Sequence, residues 1–143
     1  MKLDNNLVIT IKILSIDRIF IVYYNLLGYN IHRKETSMII TETKKYNKSL
    51  KKILKNRTKE LERLENIKNL IINSDNLHSL LLSEYKNIYR IEKKKGDLKE
   101  FYTARLNEKI RLIMRPVGDY PYVEIEIDEI IFEDIDDKHY GEG

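Results

Sequence analysis

Residues 101–115 read FYTARLNEKIRLIMR. This stretch contains two β-rich runs, Phe101–Leu106 and Lys109–Arg115, which are joined by the polar pair Asn107-Glu108. Two such runs with a short polar link predict an antiparallel hairpin. The C-terminal third of the chain is therefore predicted to be a β-meander.

The second run also predicts how the hairpin is oriented. Arg111 and Arg115 are four residues apart, so that they share one face of a strand, whereas Leu112 and Met114 lie on the other. One face of the hairpin is therefore predicted to be apolar, and the opposite face to carry arginines.

Further strands are predicted on both sides of this hairpin. Downstream, Pro116–Pro121 predicts a turn, and the alternating segment Tyr122–Ile127 predicts another strand. The alternation slips at Asp128-Glu129, which indicates a bulge or a strand end. Upstream, Asn87–Lys93 alternates and is predicted to be a strand that is broken at Gly96-Asp97.

The segment before these strands has the pattern of a strand followed by helices. Met38–Tyr46 is β-branched and alternates, and Asn47 is a suitable helix cap. Lys48–Ile72 has apolar residues at spacings of three, four and seven, and Lys55–Arg57 lacks one and would split it into a hairpin. The predicted fold class is α+β, with an N-terminal strand and a helical hairpin packed on a small antiparallel β-sheet.

The first 37 residues differ from the rest. They are rich in Ile, Leu, Val and Tyr, but the longest nearly uncharged stretch, Ile19–Tyr29, is about half of the ~20 residues that a membrane-spanning helix needs. No small-residue cleavage site follows it, and we therefore expect a cytoplasmic protein. Residues 38–143 are predicted to be the domain. Residues 1–37 are either an upstream extension outside the native domain or an N-terminal element that packs on it.

Composition excludes several classes of protein. The chain has 143 residues and no cysteine, which excludes a disulfide framework, a thiolate metal site and a cysteine nucleophile. Neither a dinucleotide-binding nor a P-loop glycine motif occurs. No paired His, Asp or Glu spacing indicates a metal site.

The net charge of +3 hides an uneven distribution. Residues 38–120 contain 20 basic and 11 acidic side chains, whereas residues 121–143 contain one lysine and nine acids. A basic body with an acidic final segment favours a polyanionic partner, and a solvated surface is the alternative.

One candidate site is a run of bases. Residues 90–99 read RIEKKKGDLK, and its five bases are Arg90, Lys93, Lys94, Lys95 and Lys99. A strand that ends in a glycine turn would present them to phosphates, which supply affinity without sequence readout. A solubilising turn is the alternative.

A second candidate is the set of arginines at Arg105, Arg111 and Arg115. A guanidinium stays charged and offers a planar fork to phosphate oxygens, so that it would stabilise a pentacoordinate phosphorane. For Arg115 we favour an ion pair with Glu124 or Glu126 instead.

The third candidate is the tail, where His139 stands beside Tyr140. A histidine near its ordinary pKa can exchange a proton with a 2′-hydroxyl or a leaving 5′-oxygen, and a tyrosine can stack on a base. A solvated terminal residue is the alternative for His139.

Residues 38–143 resemble the toxins of bacterial type II toxin–antitoxin modules in the RelE/ParE superfamily, particularly the HigB-like branch. The resemblance depends on Tyr89–Pro116, which reads YRIEKKKGDLKEFYTARLNEKIRLIMRP, and on the ending Ile135–Gly141, IDDKHYG. It covers about three quarters of the chain, and the order of elements agrees with it.

The resemblance implies a ribosome-dependent endoribonuclease, an mRNA interferase that a cognate antitoxin holds inactive. The resemblance implies that the functional positions of the family correspond here to the bases Lys93 and Lys95, to Arg105 and Arg111, and to the C-terminal His139 and Tyr140. The implied chemistry needs neither metal nor cofactor: the 2′-hydroxyl attacks the adjacent phosphate, and a proton donor frees the 5′-oxygen. The extension before Met38 departs from the family pattern.

Two other functions fit the same sequence. ParE-like members of the superfamily inhibit DNA gyrase and need no cleavage site. A non-catalytic RNA-binding protein would also account for the charge distribution.

Overall fold

The structure, a computed structural model of the chain, describes residues 37–138. In this range the polypeptide has five strands and four helices. In chain order they are β1 (Ile39–Glu42), α1 (Lys44–Ile53), α2 (Thr58–Ile72), α3 (Leu77–Leu82), α4 (Tyr85–Ile88), β2 (Glu92–Lys93), β3 (Tyr102–Arg105), β4 (Arg111–Pro116) and β5 (Glu129–Asp136). Single 3₁₀ turns lie at Gly96–Leu98 and Glu124–Glu126.

The described residues belong to a compact unit that begins at Ser37, one residue before the predicted start of the domain. That residues 1–37 are an extension outside the native domain stays a prediction, because residues 1–36 lie outside the described range. None of the helices between residues 37 and 138 is long and apolar enough to cross a membrane.

The five strands form one sheet in the order β1-β5-β4-β3-β2. The pairs β2–β3, β3–β4 and β4–β5 are antiparallel, as predicted, whereas β1 pairs with β5 in parallel. A parallel pair needs a long connection, and here the chain from β1 to β5 supplies it through the helices and the rest of the sheet. The predicted α+β class is confirmed, and the sheet is mixed.

The central hairpin is formed by β3 and β4, as residues 101–115 predict. The Asn107 side chain closes the turn, because its Oδ1 accepts hydrogen bonds from the backbone N–H groups of Lys109 and Ile110 at 2.8 and 2.7 Å. Burial alternates along β4, with Leu112 and Met114 in the core and their neighbours on the other face. The predicted separation of apolar and arginine faces is thus confirmed.

The helical hairpin packs on the apolar face. The segment between α1 and α2 contains Asn56 at φ 63°, a left-handed conformation that asparagine tolerates better than most residues. This is the predicted split at Lys55–Arg57. The Tyr46 and Phe132 rings meet edge to face at 5.4 Å between centroids, and Leu64 of α2 belongs to the same buried cluster.

Thr43, and not the predicted Asn47, caps α1. Its Oγ1 accepts a hydrogen bond from the backbone N–H of Tyr46 at 3.0 Å and donates one to the backbone carbonyl of Glu133 at 3.0 Å. The predicted strand Met38–Tyr46 is therefore shorter, since the helix begins at Lys44.

We expect Thr43→Ala to lower the free energy of unfolding by about 1 kcal/mol, because it removes the cap and the bond to β5 together. Urea unfolding followed by circular dichroism measures the change. Thr43→Ser is the matched control: it retains the hydroxyl and should keep most of the stability. Equal midpoints for the wild type and Thr43→Ala would contradict this role.

Two predicted strands are wrong. Asn87–Lys93 overlaps α4 and contributes only Glu92–Lys93 to β2, since the Ser83 hydroxyl accepts from the Tyr85 N–H and helps the short helix to begin. Tyr122–Ile127 is not a strand and contains a 3₁₀ turn. The edge of β4 with which it would have paired is occupied by β5. Of the apolar residues in this segment, Ile127 enters the core.

The predicted bulge or strand end at Asp128-Glu129 corresponds to the start of β5 at Glu129, and the bulge of this strand lies further along. It falls inside β5, where Ile113 is opposite Asp134 and Met114 is opposite Phe132, so that Glu133 is the extra residue. The bulge allows Glu133 to approach Arg115, while Asp134 accepts from the Ser49 hydroxyl of α1 at 2.6 Å.

Candidate functional site

Two arginines lie side by side where the β3–β4 hairpin turns. Arg105 is the last residue of β3 and is directly opposite Arg111, the first residue of β4. Residues opposite each other in an antiparallel pair project to the same face, so both arginines occupy the face away from the helical hairpin. Asp136, the last residue of β5, is opposite Arg111 on its other side.

Arg111 is held by its own turn. Its Nη1 donates to the backbone carbonyl of Asn107 at 2.7 Å and to that of Ile110 at 3.3 Å. Burial, followed by the like charge of Arg105, holds the pKa of this guanidinium below its usual value, and Glu108 and Glu92 oppose the shift. The group nevertheless stays charged, because an arginine pKa lies far above neutral pH.

Arg105 has unused hydrogen-bonding capacity. Its Nη1 is 3.8 Å from the Glu108 Oε1, and its side chain is 30% exposed. The buried Nε has no hydrogen-bond partner among residues 37–138. The exposed part of the guanidinium can bind an incoming anion, because its contact with Glu108 is long. The two arginines therefore form a site suited to an anionic group.

The backbone around Arg105 is fixed by an arginine of α2. The Arg63 Nε donates to the Arg105 carbonyl at 2.6 Å, and Nη2 donates to the carbonyl of Ile88. The same guanidinium lies over the Tyr89 ring, 4.9 Å from its centroid. The backbone carbonyl of Tyr89 in turn accepts a hydrogen bond from the Arg105 N–H at 2.8 Å. Arg63 thus joins α2, the end of α4 and the end of β3.

Arg90 reaches the same region from the turn before β2. Its backbone is left-handed, at φ 51°, and its Nε is 3.6 Å from the Glu92 Oε1. The charges of Arg90 and Glu92 both influence the pKa of the Arg111 guanidinium. Of the five bases in residues 90–99, Arg90 is therefore the one that the structure brings towards the arginine pair.

The predicted lysines lie further away. Lys93 is opposite Tyr102, and the Lys94 N–H donates to the Phe101 carbonyl at 2.9 Å, so that Lys95 is beyond the end of β2. Arg105 lies three residues beyond Tyr102 along β3. Because β2 is antiparallel to β3, the chain from Lys93 to Lys95 runs in the opposite direction, away from Arg105. The structure does not bring Lys95 and the arginine pair together.

Two of these lysines lie over an aromatic ring, that of Tyr120, which no sequence motif indicates. The Nζ atoms of Lys93 and Lys99 are 5.3 and 5.1 Å from the centroid of the Tyr120 ring. The Tyr122 ring meets that of Tyr120 edge to face at 5.4 Å. The available signal was the pair of tyrosines that flank Pro121, but nothing local connects them to residues 93–99.

Arg115 forms an ion pair, as expected, but with another partner. Its Nε is 3.1 Å from Glu133 Oε2 on β5, so the prediction of Glu124 or Glu126 is wrong. The reason is the bulge, which places Glu133 beside β4, while Glu124 lies in a 3₁₀ turn near His78. Arg115 is therefore an ion-paired residue and does not belong to the arginine pair at the hairpin turn.

A hollow of about 590 Å³ lies beside the β3–β4 turn, but neither Arg105 nor Arg111 lines it. It lies between the end of α1, the β3–β4 turn and the residue after β5, and its lining includes Lys52, Arg57, Lys109 and Asp137. His139 and Tyr140 lie outside the described residues. Within residues 37–138, no three His, Asp or Glu side chains come together as a metal site would require.

Comparison with known proteins gives a structural match alone. No protein-family model matches the sequence, and no curated protein matches it. The crystal structure of YafQ from E. coli strain BL21(DE3) is 19% identical, with a TM-score of 0.50, over 73% of this chain and 99% of YafQ. YafQ in the E. coli DinJ–YafQ toxin–antitoxin complex is 21% identical, with the same TM-score and coverage. The described domain therefore has the fold of YafQ, and the fold that the RelE/ParE resemblance implies is confirmed.

Proposed function

We propose that the protein is the toxin of a type II toxin–antitoxin system and that it cleaves mRNA on the ribosome. The observation that carries the proposal is the Arg105–Arg111 pair, two guanidinium groups on one face of a sheet whose fold is that of YafQ. The Arg105 side chain is 30% exposed, and only a long contact of 3.8 Å pairs it with Glu108, so that a phosphate oxygen can bind its exposed end.

In the proposed reaction, a base accepts the proton of the 2′-hydroxyl of one nucleotide, and the 2′-oxygen attacks the adjacent phosphate. A 2′,3′-cyclic phosphate forms as the bond from phosphorus to the 5′-oxygen breaks. Arg105 and Arg111 stabilise the additional negative charge of the phosphorane, and a proton donor releases the 5′-oxygen. We assign proton transfer to His139, with Tyr140 beside it. His139 follows Asp136 by three residues in the sequence, and Asp136 is opposite Arg111.

The RNA would approach over the bases Arg90, Lys93, Lys94, Lys95 and Lys99. Their charge supplies affinity and orients the strand without reading its sequence. Several acids of the C-terminal segment are engaged within the protein: Glu133 with Arg115, Asp134 with Lys45, and Glu129 with Thr41. These contacts reduce the repulsion that the acids would otherwise exert on RNA.

An antitoxin is the proposed protein partner. YafQ has been crystallised in a complex with DinJ. For this chain we infer a cognate antitoxin that blocks access to Arg105 and Arg111, whereas the ribosome and its mRNA are the proposed target.

The test is a cell-free translation reaction that contains one defined mRNA and the full chain. We expect new 5′ ends within codons, mapped by primer extension, and only when ribosomes are present. Intact mRNA beside active ribosomes would contradict the nuclease function. A parallel assay of DNA supercoiling by gyrase then distinguishes a ParE-like inhibitor from a non-catalytic RNA-binding protein.

A further inference from the structure

We propose that Tyr120, with Lys93 and Lys99, forms a stacking site for one base of single-stranded RNA. The site lies at the end of the β2–β3 hairpin opposite to the arginine pair. It deepens the proposed function, since it takes mRNA as the ligand, and it adds a contact that does not take part in the cleavage chemistry.

The Tyr120 ring is held in place by a neighbouring ring. The T-shaped contact with Tyr122, at 5.4 Å and an interplanar angle of 87°, restricts its orientation. Tyr122 is itself anchored, because its hydroxyl donates to the Glu100 carbonyl at 2.7 Å. Tyr120 remains partly exposed. A partly exposed aromatic ring with restricted orientation is suited to stacking.

The two lysines identify the ligand as anionic. Both are exposed, their ammonium groups lie 5.1–5.3 Å from the ring centroid, and neither forms an ion pair with a carboxylate of residues 37–138. Exposed contacts of a lysine with a ring are weak, so the ammonium groups can exchange them for phosphate oxygens. Proteins bind single strands with this combination of groups: a base stacks on the aromatic ring, and the phosphate backbone contacts the nearby cations.

The position of the site sets its role. Lys93 is opposite Tyr102, and Arg105 is three residues further along β3, or roughly 10 Å at the rise of a strand. Lys93 and Tyr102 project to the face of the sheet that carries the core, whereas Arg105 projects to the other face. A strand of RNA whose phosphate lies at Arg105 would therefore reach Tyr120 by passing around the edge strand β2. Stacking there would hold the message in position for cleavage without selecting a particular base.

The test is the affinity of the full chain for a short fluorescent single-stranded RNA, measured by anisotropy. Its sugars are 2′-O-methylated, which removes the nucleophile and prevents cleavage. We expect Tyr120→Leu to weaken binding by about 5- to 150-fold, and Tyr120→Phe to bind like the wild type because it retains the ring. Tyr85→Leu, which removes an exposed tyrosine of α4, is the matched control and should leave affinity unchanged.

The salt dependence of binding tests the lysines. Lys93→Gln and Lys99→Gln should each lower the slope of log affinity against log salt by about one phosphate contact. Thermal unfolding of each variant controls for loss of structure.

The other outcomes separate the stacking site from the cleavage function. Equal affinity of Tyr120→Leu and wild type overturns the stacking site, even if the protein cleaves mRNA. Loss of affinity in Tyr120→Leu and retention in Tyr120→Phe supports the site, even if no cleavage is detected. If the wild type binds no RNA but binds an acidic protein through Lys93 and Lys99, the site is a protein contact and the proposal is wrong.

Discussion

Replacing Arg105 with alanine is expected to lower the rate of ribosome-dependent mRNA cleavage by about 10²–10³-fold and to leave the domain folded. This is the loss that follows when one charge-stabilising donor is removed from a transition state. Arg105 is not a member of the buried hydrophobic cluster, and its backbone contacts with Arg63 and Tyr89 do not require its side chain. Cleavage is measured by primer extension, and folding by thermal unfolding.

Two further variants make the result specific. Arg115→Ala removes an arginine from the same sheet face, but one that Glu133 already neutralises, and cleavage should change little. Arg105→Lys keeps the charge and loses the planar fork, so that its rate should lie between those of alanine and wild type. A folded Arg105→Ala protein with full activity would exclude Arg105 from the reaction.

The arginine pair was predictable because it depends on local sequence. A two-run hairpin with a short link determines which residues are opposite each other, and strict alternation along β4 separates Arg111 and Arg115 from Leu112 and Met114. These features need no knowledge of the rest of the chain.

The sheet around the hairpin was harder to predict. The alternation of Tyr122–Ile127 is that of a strand, but β4 has only one free edge and β5 occupies it. Val123 and Ile125 consequently remain exposed. Competition between segments for one partner is a tertiary effect, which a local pattern does not contain.

The contacts that complete the candidate site are long-range. Arg63 reads as an ordinary base on a helix, and only the folded chain brings it to Arg105, 42 residues later. Tyr120 likewise reads as a turn residue until β2 and β4 bring it beside Lys93. No spacing rule connects such residues, so the sequence identified the charged groups but not the residues that orient them.

Arg63→Ala is expected to have the second large effect, on both stability and activity. It removes two charge-assisted hydrogen bonds to backbone carbonyls and the contact with the Tyr89 ring. Such bonds are worth about 1.5–3 kcal/mol each, and we expect the free energy of unfolding to fall by about 3 kcal/mol. Urea unfolding measures this change.

Arg63 acts on the reaction through Arg105, as a positioning residue. Since a displacement of about 1 Å can cost about 10²-fold in rate, cleavage by the folded fraction should fall in kcat, with KM for programmed ribosomes unchanged. Arg57→Ala, which removes an exposed arginine whose ion pair in the described range is with Glu60 three residues away, is the control and should cost less than about 1 kcal/mol. If Arg63→Ala is destabilised but cleaves at the wild-type kcat, Arg63 supports the fold alone, and the carbonyl of Arg105 is held by β3 without it.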